Sequence, residues 1–403
     1  MKYGLLGQTL KHSYSKEIHE LLGYYKYEYF EEDDLDRFFK RKDINGINVT
    51  IPYKEDVIKY LDEMSEDAKK IGCVNTIKFD DTIKGYNTDI DGMEYMISRI
   101  VDLKGKEVVI LGDGATSKTA VECATRLEAK TIKVISRKGE HNFEDIDYYK
   151  NCDVLINATP VGMYPNNLKS VVKINKIKPK AVFDVIYNPN KTSLLMDCDR
   201  LRIPNDNGLR MLVYQAVKAC EIFTSKKIDD DVVEKIVQKI RTKNMNIALV
   251  GMPGCGKSTV AKIIAKTTDK KLIDIDKIIT QRYGNINDIF ALKGEKYFRD
   301  IESEVLEEFS KKKNLVIATG GGAVTTKKNF YYLHQNSVIY WIDRPNSKLS
   351  RKNRPIYKSN TMHEIRQNRN YLYRRFSDKY FNNYNAKKTA KLIVEDFNET
   401  IYY

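Results

Sequence analysis

The strongest constraint on the fold of this chain is a glycine-rich loop in its second half. Residues 251–258 read Gly-Met-Pro-Gly-Cys-Gly-Lys-Ser and fit G-x-x-x-x-G-K-[ST] at every position. An apolar run at 246–250 leads into the loop, and a helical pattern over 259–267 leaves it. Strand, loop and helix in that order make an anion cradle. Glycines let successive N–H groups curl around phosphate oxygens, and the helix N-terminus adds a partial positive charge. An α/β fold with a parallel sheet is therefore expected for this part of the chain.

The loop starts at residue 251 of 403. Single cores stop growing beyond roughly 250–300 residues, so two or three domains are expected. Charge marks one boundary. Residues 1–244 carry 40 Lys+Arg and 39 Asp+Glu, whereas 245–403 carry 29 and 16. A basic second half suits small polyanions and would also attract nucleic acid. No helix-turn-helix, zinc-finger or RNA-recognition signature accompanies it. Six cysteines, at 73, 123, 152, 198, 220 and 255, include no C-x-x-C pair and read as free thiols of a reducing cytoplasm. No apolar run approaches the ~20 residues that span a bilayer, and the amino terminus lacks the flanks of a signal peptide. Small molecules, not nucleic acid or membrane, are the expected partners. Self-association is left open.

Within the loop, Gly254, Cys255, Gly256, Lys257, Ser258 and Thr259 are the candidate nucleotide contacts. Lys257 would reach the β- and γ-phosphates, and the Ser258 hydroxyl would bind Mg²⁺. Asp274 and Asp276 follow at a strand end, where a spacing of two points both carboxylates to one face. They would also serve as N-caps for a helix from Lys277. Arg299 and Glu302 share a helical face at a spacing of three. Residues 316–324, VIATGGGAV, end a strand on three glycines that allow close approach to a ligand. Between 344 and 388 there are 13 Lys+Arg against 2 Asp+Glu, a pattern of a solvated surface or of a lid over phosphates.

Taken together, residues 251–258, Asp274-x-Asp276, Gly294-Glu295 with Phe298-Arg299 and Glu302, Thr319-Gly-Gly-Gly322, Arg354-Pro355 and Arg369 with Tyr373 resemble shikimate kinase. The resemblance implies ATP and Mg²⁺ as cofactors and shikimate as acceptor. It places Asp276, Arg299, Gly320, Gly321, Gly322 and Arg369 on shikimate, with the two arginines on its carboxylate. Asp276 would accept the proton of the attacking hydroxyl, Asp274 would help to position the metal, and Arg354 would stabilise the transferring phosphoryl group. The family usually has a longer lid. Here only 12 residues, 357–368, separate Arg354-Pro355-Ile356 from Arg369.

The first half carries a second, weaker glycine pattern. Gly112-Asp113-Gly114-Ala115-Thr116-Ser117 sits between an apolar strand (107–112) and a helix expected over 115–128, but as G-x-G-x-x-G it is incomplete. The next strand ends at Ser136-Arg137-Lys138. Two cations there favour a 2′-phosphate over a free 2′-hydroxyl, hence NADP over NAD, unless they are merely an exposed turn. Around this segment stand Ser13-Tyr14-Ser15, Asn48-Val-Thr-Ile-Pro-Tyr-Lys54, Val74-Asn75-Thr76, Gly85-Tyr-Asn-Thr-Asp89, Asn157-Ala-Thr-Pro-Val-Gly-Met163, Asp184-Val-Ile-Tyr-Asn-Pro189 and Gly208-Leu-Arg-Met-Leu-Val-Tyr-Gln215. The series is similar to shikimate dehydrogenase. That resemblance implies a catalytic pair, Lys54 and Asp89. It puts Ser13 and Ser15 on the substrate carboxylate and Thr50, Asn75, Tyr187 and Gln215 on the rest of the substrate. Gly112, Gly114, Ala115, Ser136, Arg137, Lys138, Thr159 and Gly208 would bind NADP(H). Burial should lower the Lys54 pKa toward neutrality, with Asp89 opposing. His12 receives no chemical role. Lys16 stands where the family usually has proline. Asp113 puts a carboxylate into the phosphate loop, where it must face away, be neutralised by a neighbour such as Lys118, or weaken cofactor binding.

The expected organisation is α/β throughout. A substrate-binding domain would comprise 1–102 and 206–242 and a Rossmann-type dinucleotide domain 103–205. A linker at 241–245 would lead to a phosphate-loop kinase domain at 246–403. The function implied is bifunctional: NADPH-dependent reduction of 3-dehydroshikimate, then phosphorylation of shikimate by ATP. The alternatives are one inactive half, a quinate-directed dehydrogenase, or an ATPase driven by nucleic acid.

Overall fold

The computed structural model describes residues 2–10, 13–350 and 361–400. His12 and Arg354, with residues 351–360 around it, lie outside the described residues. Contacts divide the chain into two units, Met1–Asn188 with Thr192–Val237, and Gln238–Tyr403 with Pro189–Lys191.

The first unit holds two sheets. Strands β1 (Lys2–Gly7), β2 (Tyr27–Glu31), β3 (Ile44–Val49), β4 (Glu63–Met64), β5 (Thr76–Phe79) and β6 (Ile83–Tyr86) form one, in the order β2-β1-β3-β5-β6-β4. β1 is parallel to β2 and β3, whereas β5 is antiparallel to β3 and β6. Parallel neighbours need crossovers, supplied here by the helices Ser15–Leu22 and Leu35–Phe39. Leu6, Ile47, Val49, Val74 and Ile77 lie in the core of this sheet.

The second sheet is wholly parallel: β7 (Glu107–Leu111), β8 (Thr131–Ile135), β9 (Val154–Asn157), β10 (Ala181–Asp184) and β11 (Asn205–Asn207), in the order β11-β10-β9-β7-β8. Strand alternation splits its apolar residues between two faces. Val108 and Ile110 join Met93, Met96 and Ala120 from the helices Asp89–Ser98 and Ala115–Arg126. Val109 and Leu111 join Leu194, Leu195 and Cys198 from the helix Ser193–Leu201. Burial on both faces explains why the strands read as unbroken apolar runs. Chain order reverses at β7, so a crevice opens at its C-terminal end.

The second unit repeats that logic. β12 (Asn246–Val250), β13 (Lys271–Asp274), β14 (Leu315–Ala318), β15 (Ser337–Asp343) and β16 (Lys379–Asn382) are parallel, in the order β13-β14-β12-β15-β16. The reversal falls at β12, directly before residues 251–258.

Two local readings need correction. The segment expected as a linker, 241–245, is helical through Asn244, because the helix Asp231–Asn244 runs on past Ile240. Strand β13 stops at Asp274, which caps the helix Ile275–Tyr283, so Asp276 stands on a first helical turn and not on the same strand face. All six cysteines are buried and free. Among the described residues no helix is long and apolar enough to cross a membrane.

Candidate active sites

In the first unit, β1 and β3 lie side by side and Thr50 N donates to Leu6 O at 3.0 Å, so the segments leaving their C-terminal ends begin together. One carries Ser13 and Ser15, whose hydroxyls are 3.0 Å apart. Ser15 N also donates to Ser13 Oγ at 3.1 Å. The ring of Tyr14 lies 5.2 Å from that of Tyr187, which brings the loop after β10 to the same place. Burial pushes the Tyr187 phenol up to about 12, so it is a neutral hydroxyl donor.

The segment after β3 ends in Lys54. Its ammonium donates to Asp89 Oδ2 at 2.5 Å, and both side chains are largely buried, 19% and 15% exposed. Asp89 opens the helix Asp89–Ser98, and its own N–H donates to Asn87 Oδ1 at 3.1 Å. Burial alone would lower the lysine pKa, but the charge and hydrogen bond of Asp89 outweigh it, and the net shift is upward. The expectation of a lysine tuned toward neutrality is thus corrected: a carboxylate in contact holds Lys54 as a cation.

Beside this pair Asn75, Thr88 and Gln215 form a buried polar cluster. Asn75 Nδ2 donates to Thr88 Oγ1 at 3.0 Å and to Gln215 Oε1 at 3.4 Å, and Thr88 N donates to Asn75 Oδ1 at 2.7 Å. Thr88 was not singled out from the sequence, although it stands one residue before Asp89.

At the crevice of the second sheet, Gly112 has φ +114°, a conformation few other residues adopt, and Ser117 Oγ donates to its carbonyl at 2.7 Å. Gly114 precedes the helix Ala115–Arg126, giving Ala115 its first turn. Thr159 lies against Gly112, with its hydroxyl donating to Asn157 Oδ1 at 2.7 Å. Ser136 is buried at the end of β8, and Arg137 and Lys138 beyond it are exposed. Gly208 caps the helix Leu209–Thr224. The loop, the helix N-terminus and the two exposed cations fit a dinucleotide with a 2′-phosphate.

In the second unit the phosphate loop turns on Gly254, at φ +83°, where an added Cβ would lie 2.3 Å from Ser350 O. Asn383, just beyond β16, donates to Cys255 O at 2.8 Å and braces the loop; no sequence motif announced it. The Lys257 ammonium is buried and donates to the carbonyls of Gly251 and Met252 at 2.8 and 3.0 Å. Ser258 and Thr259 face solvent from the first turn of the helix Lys257–Thr267. Asp274 Oδ1 accepts from Lys277 N at 3.3 Å. Among the described residues no three His, Cys, Asp or Glu side chains converge. The Ser258 hydroxyl and the Asp274 carboxylate are hard oxygen donors of the kind Mg²⁺ takes, with waters and phosphate oxygens completing its shell.

Next to the loop is a cavity of about 320 Å³ lined by Pro253, Asp276, Arg299, Arg369, all three glycines of residues 320–322, and Phe290 with Phe298. The six substrate candidates of this unit therefore share one chamber. Arg299 Nη1 donates to Glu302 Oε2 at 2.7 Å, and Nη2 donates to Glu295 Oε1 at 2.9 Å. Arg369 Nη1 donates to Gly321 O at 3.1 Å, a carbonyl that also accepts from the Tyr373 hydroxyl at 2.5 Å. Glycine is needed at 320 and 322, where a Cβ would press on Glu302 and Asp276 or on the Arg299 guanidinium. Glu302 is fully buried. Burial pushes its carboxyl up, with Arg299 pulling the other way.

A relative from Methanosphaera stadtmanae, "Shikimate dehydrogenase (NADP(+))", is 37% identical over 59% of this chain and 95% of its own length. The chain belongs to the shikimate dehydrogenase family. A similar relative from Caldicellulosiruptor bescii is 36% identical over 54% of the chain and 87% of its own length. The crystal structure of a chorismate mutase/shikimate 5-dehydrogenase fusion protein from Clostridium acetobutylicum shares 37% identity over 59% of this chain and 96% of that one, with a TM-score of 0.56. Family models match in pieces: the shikimate dehydrogenase substrate binding domain at residues 5–77, the shikimate 5'-dehydrogenase C-terminal domain at 208–238, and shikimate kinase at 253–401. The dehydrogenase is therefore joined in one chain to a shikimate kinase domain, and the protein is a bifunctional enzyme of the shikimate pathway.

Proposed function

We propose that the first unit reduces 3-dehydroshikimate to shikimate with NADPH and that the second phosphorylates shikimate on its 3-hydroxyl with ATP, in a cytoplasmic setting. Bound NADPH supplies the hydride and bound ATP the phosphoryl group. Lys54, kept cationic by Asp89, donates a hydrogen bond to the carbonyl oxygen and then gives it a proton as negative charge develops there. Asp89 orients the ammonium. Ser13 and Ser15 hold the carboxylate through hydroxyls, and Thr50, Asn75, Tyr187 and Gln215 hold the rest of the substrate. Arg137 and Lys138 select the 2′-phosphate.

In the kinase unit, Arg299 and Arg369 grip the shikimate carboxylate, and residues 320–322 press against the ring. Asp276 takes the proton of the attacking hydroxyl. Lys257 and the loop amides neutralise charge on the phosphates, and Ser258 and Asp274 hold Mg²⁺. Arg354 is assigned to the transferring phosphoryl group by resemblance alone. The observation that carries the reading is the single chamber beside the phosphate loop that joins Asp276, Arg299 and Arg369.

The test is a one-vessel assay with 3-dehydroshikimate, NADPH, ATP and Mg²⁺, with products identified by mass. Shikimate 3-phosphate is expected, and failure to form it would refute the joint function.

A further inference from the structure

We infer that Asp113 sets the affinity of the dehydrogenase for its dinucleotide, by standing as an unneutralised carboxylate at the mouth of the pyrophosphate cradle. The inference rests on the cofactor reading above. Asp113 lies between Gly112, whose φ of +114° turns the loop, and Gly114, which opens onto the helix Ala115–Arg126. Pyrophosphate belongs at that turn and helix N-terminus. Asp113 is exposed on the turn itself, so burial does not withdraw its charge from the loop. The cation nearest in sequence, Lys118 on the first turn of the same helix, donates instead to Glu55 Oε1 at 2.7 Å. Among the described residues Asp113 takes part in no ion pair.

Glu55 therefore diverts Lys118 away from the loop. Because Glu55 directly follows Lys54, the same ion pair ties the catalytic lysine segment to the dinucleotide-binding helix. The loop meets the doubly charged pyrophosphate with a like charge, and favourable electrostatics at the far end of the cofactor are left to Arg137 and Lys138. Two unit repulsions across several ångströms of a water-like dielectric weaken binding by about threefold to tenfold at low ionic strength, and salt screens the effect.

The test uses the full chain and calorimetric titration with NADP⁺. Asp113→Asn preserves shape and removes the charge. It should tighten NADP⁺ by about threefold to tenfold at low ionic strength, and the ratio of the two dissociation constants should shrink toward one in concentrated KCl. Equal affinities at low salt would overturn the inference. So would a gain that salt leaves untouched, since that would reflect packing and not charge. Glu55→Gln should release Lys118 and tighten NADP⁺ by about twofold to threefold, a gain that Lys118→Met should abolish; no gain would overturn the diversion of Lys118. The far-ultraviolet spectrum and melting curve of each sample report that the substituted unit is folded. If the unsubstituted chain fails to bind NADP⁺, the cofactor reading itself falls.

Discussion

Replacing Asp89 by Asn is the sharpest probe of the dehydrogenase site. The Lys54 ammonium sits 2.5 Å from Asp89 Oδ2 with 19% of the side chain exposed. Burial acts to lower its pKa, and the carboxylate reverses the sign. Without the carboxylate, burial acts almost alone and the lysine should fall below its ordinary value. In the unsubstituted enzyme Lys54 stays protonated beyond the ordinary lysine range, so the rate of reduction should hold well into the basic range. In Asp89→Asn the basic limb of the rate should move to lower pH than in the unsubstituted enzyme, at a ceiling some 10²–10⁴ lower from lost orientation. Stability follows the same sign. A raised folded pKa contributes stability below the unfolded value and loses it as pH rises through the folded one, so the variant should be less stable at pH 7, by about 1–3 kcal/mol. Steady-state kinetics of 3-dehydroshikimate reduction from pH 6 to 10.5, with thermal melts at each pH, would measure both. A basic limb at the same pH in both proteins would refute the argument that Asp89 governs the Lys54 proton.

Other outcomes follow from the same geometry. Lys257→Met should lower shikimate phosphorylation by about 10²–10⁴ and leave dehydroshikimate reduction intact, whereas Lys54→Met should do the reverse; each is read in single-reaction assays. Gly254→Ala forces a Cβ to 2.3 Å from Ser350 O at a φ of +83°, so phosphorylation should be lost with the far-ultraviolet spectrum unchanged. Glu302→Ala leaves Arg299 without its buried partner. The KM for shikimate in the kinase reaction should rise by about 10–100-fold and stability should drop by about 3–5 kcal/mol, measured by denaturant titration. Asp184, fully buried, is pushed up to about 7, so the folded state binds its proton more tightly than the unfolded one. Stability should therefore fall as pH rises from about 4 to 7, by at most about 4 kcal/mol, and Asp184→Asn should flatten that slope in melting curves.

The sheets were legible wherever burial on both faces wrote an unbroken apolar run, as in β7, β9 and β12, and the glycine loops announced which strand ends carry ligands. What escaped the sequence was set by residues far apart in it. The helix Asp231–Asn244 outlasted its expected end because its last carbonyls find a distant partner. The buried amine of Lys270 donates to Thr242 O and Met245 O at 2.8 and 2.7 Å, which no local pattern around residue 241 records. Asn383 braces the phosphate loop from the opposite end of the unit, and nothing in its own neighbourhood marks it. The sign of the Lys54 shift depended on one distance. Burial and an adjacent acid were both anticipated, but only contact at 2.5 Å decides between them.

In the proposed function the two sites grip the same carboxylic acid with different chemistry, and the difference has a physical reason. In the proposed dehydrogenase site the anion meets the hydroxyls of Ser13 and Ser15, while the cation Lys54, held by Asp89, is reserved for the reacting oxygen. Further guanidinium groups there would compete for Asp89 and raise the cost of each uncompensated buried charge. In the kinase chamber the demand is reversed. Shikimate must sit beside a nucleotide carrying several negative charges, and a carboxylate held only by neutral donors would be repelled by them. In the proposed roles Arg299 and Arg369 would offset that repulsion, and Glu302, fully buried and bonded to Arg299, would keep the guanidinium aimed without neutralising the whole chamber. On this argument the arginines should matter most in the ternary complex. Arg369→Met should weaken shikimate binding more in the presence of a nonhydrolysable ATP analogue than in its absence, and equal losses in both would show that the arginine grips the acid without answering the charge of the nucleotide.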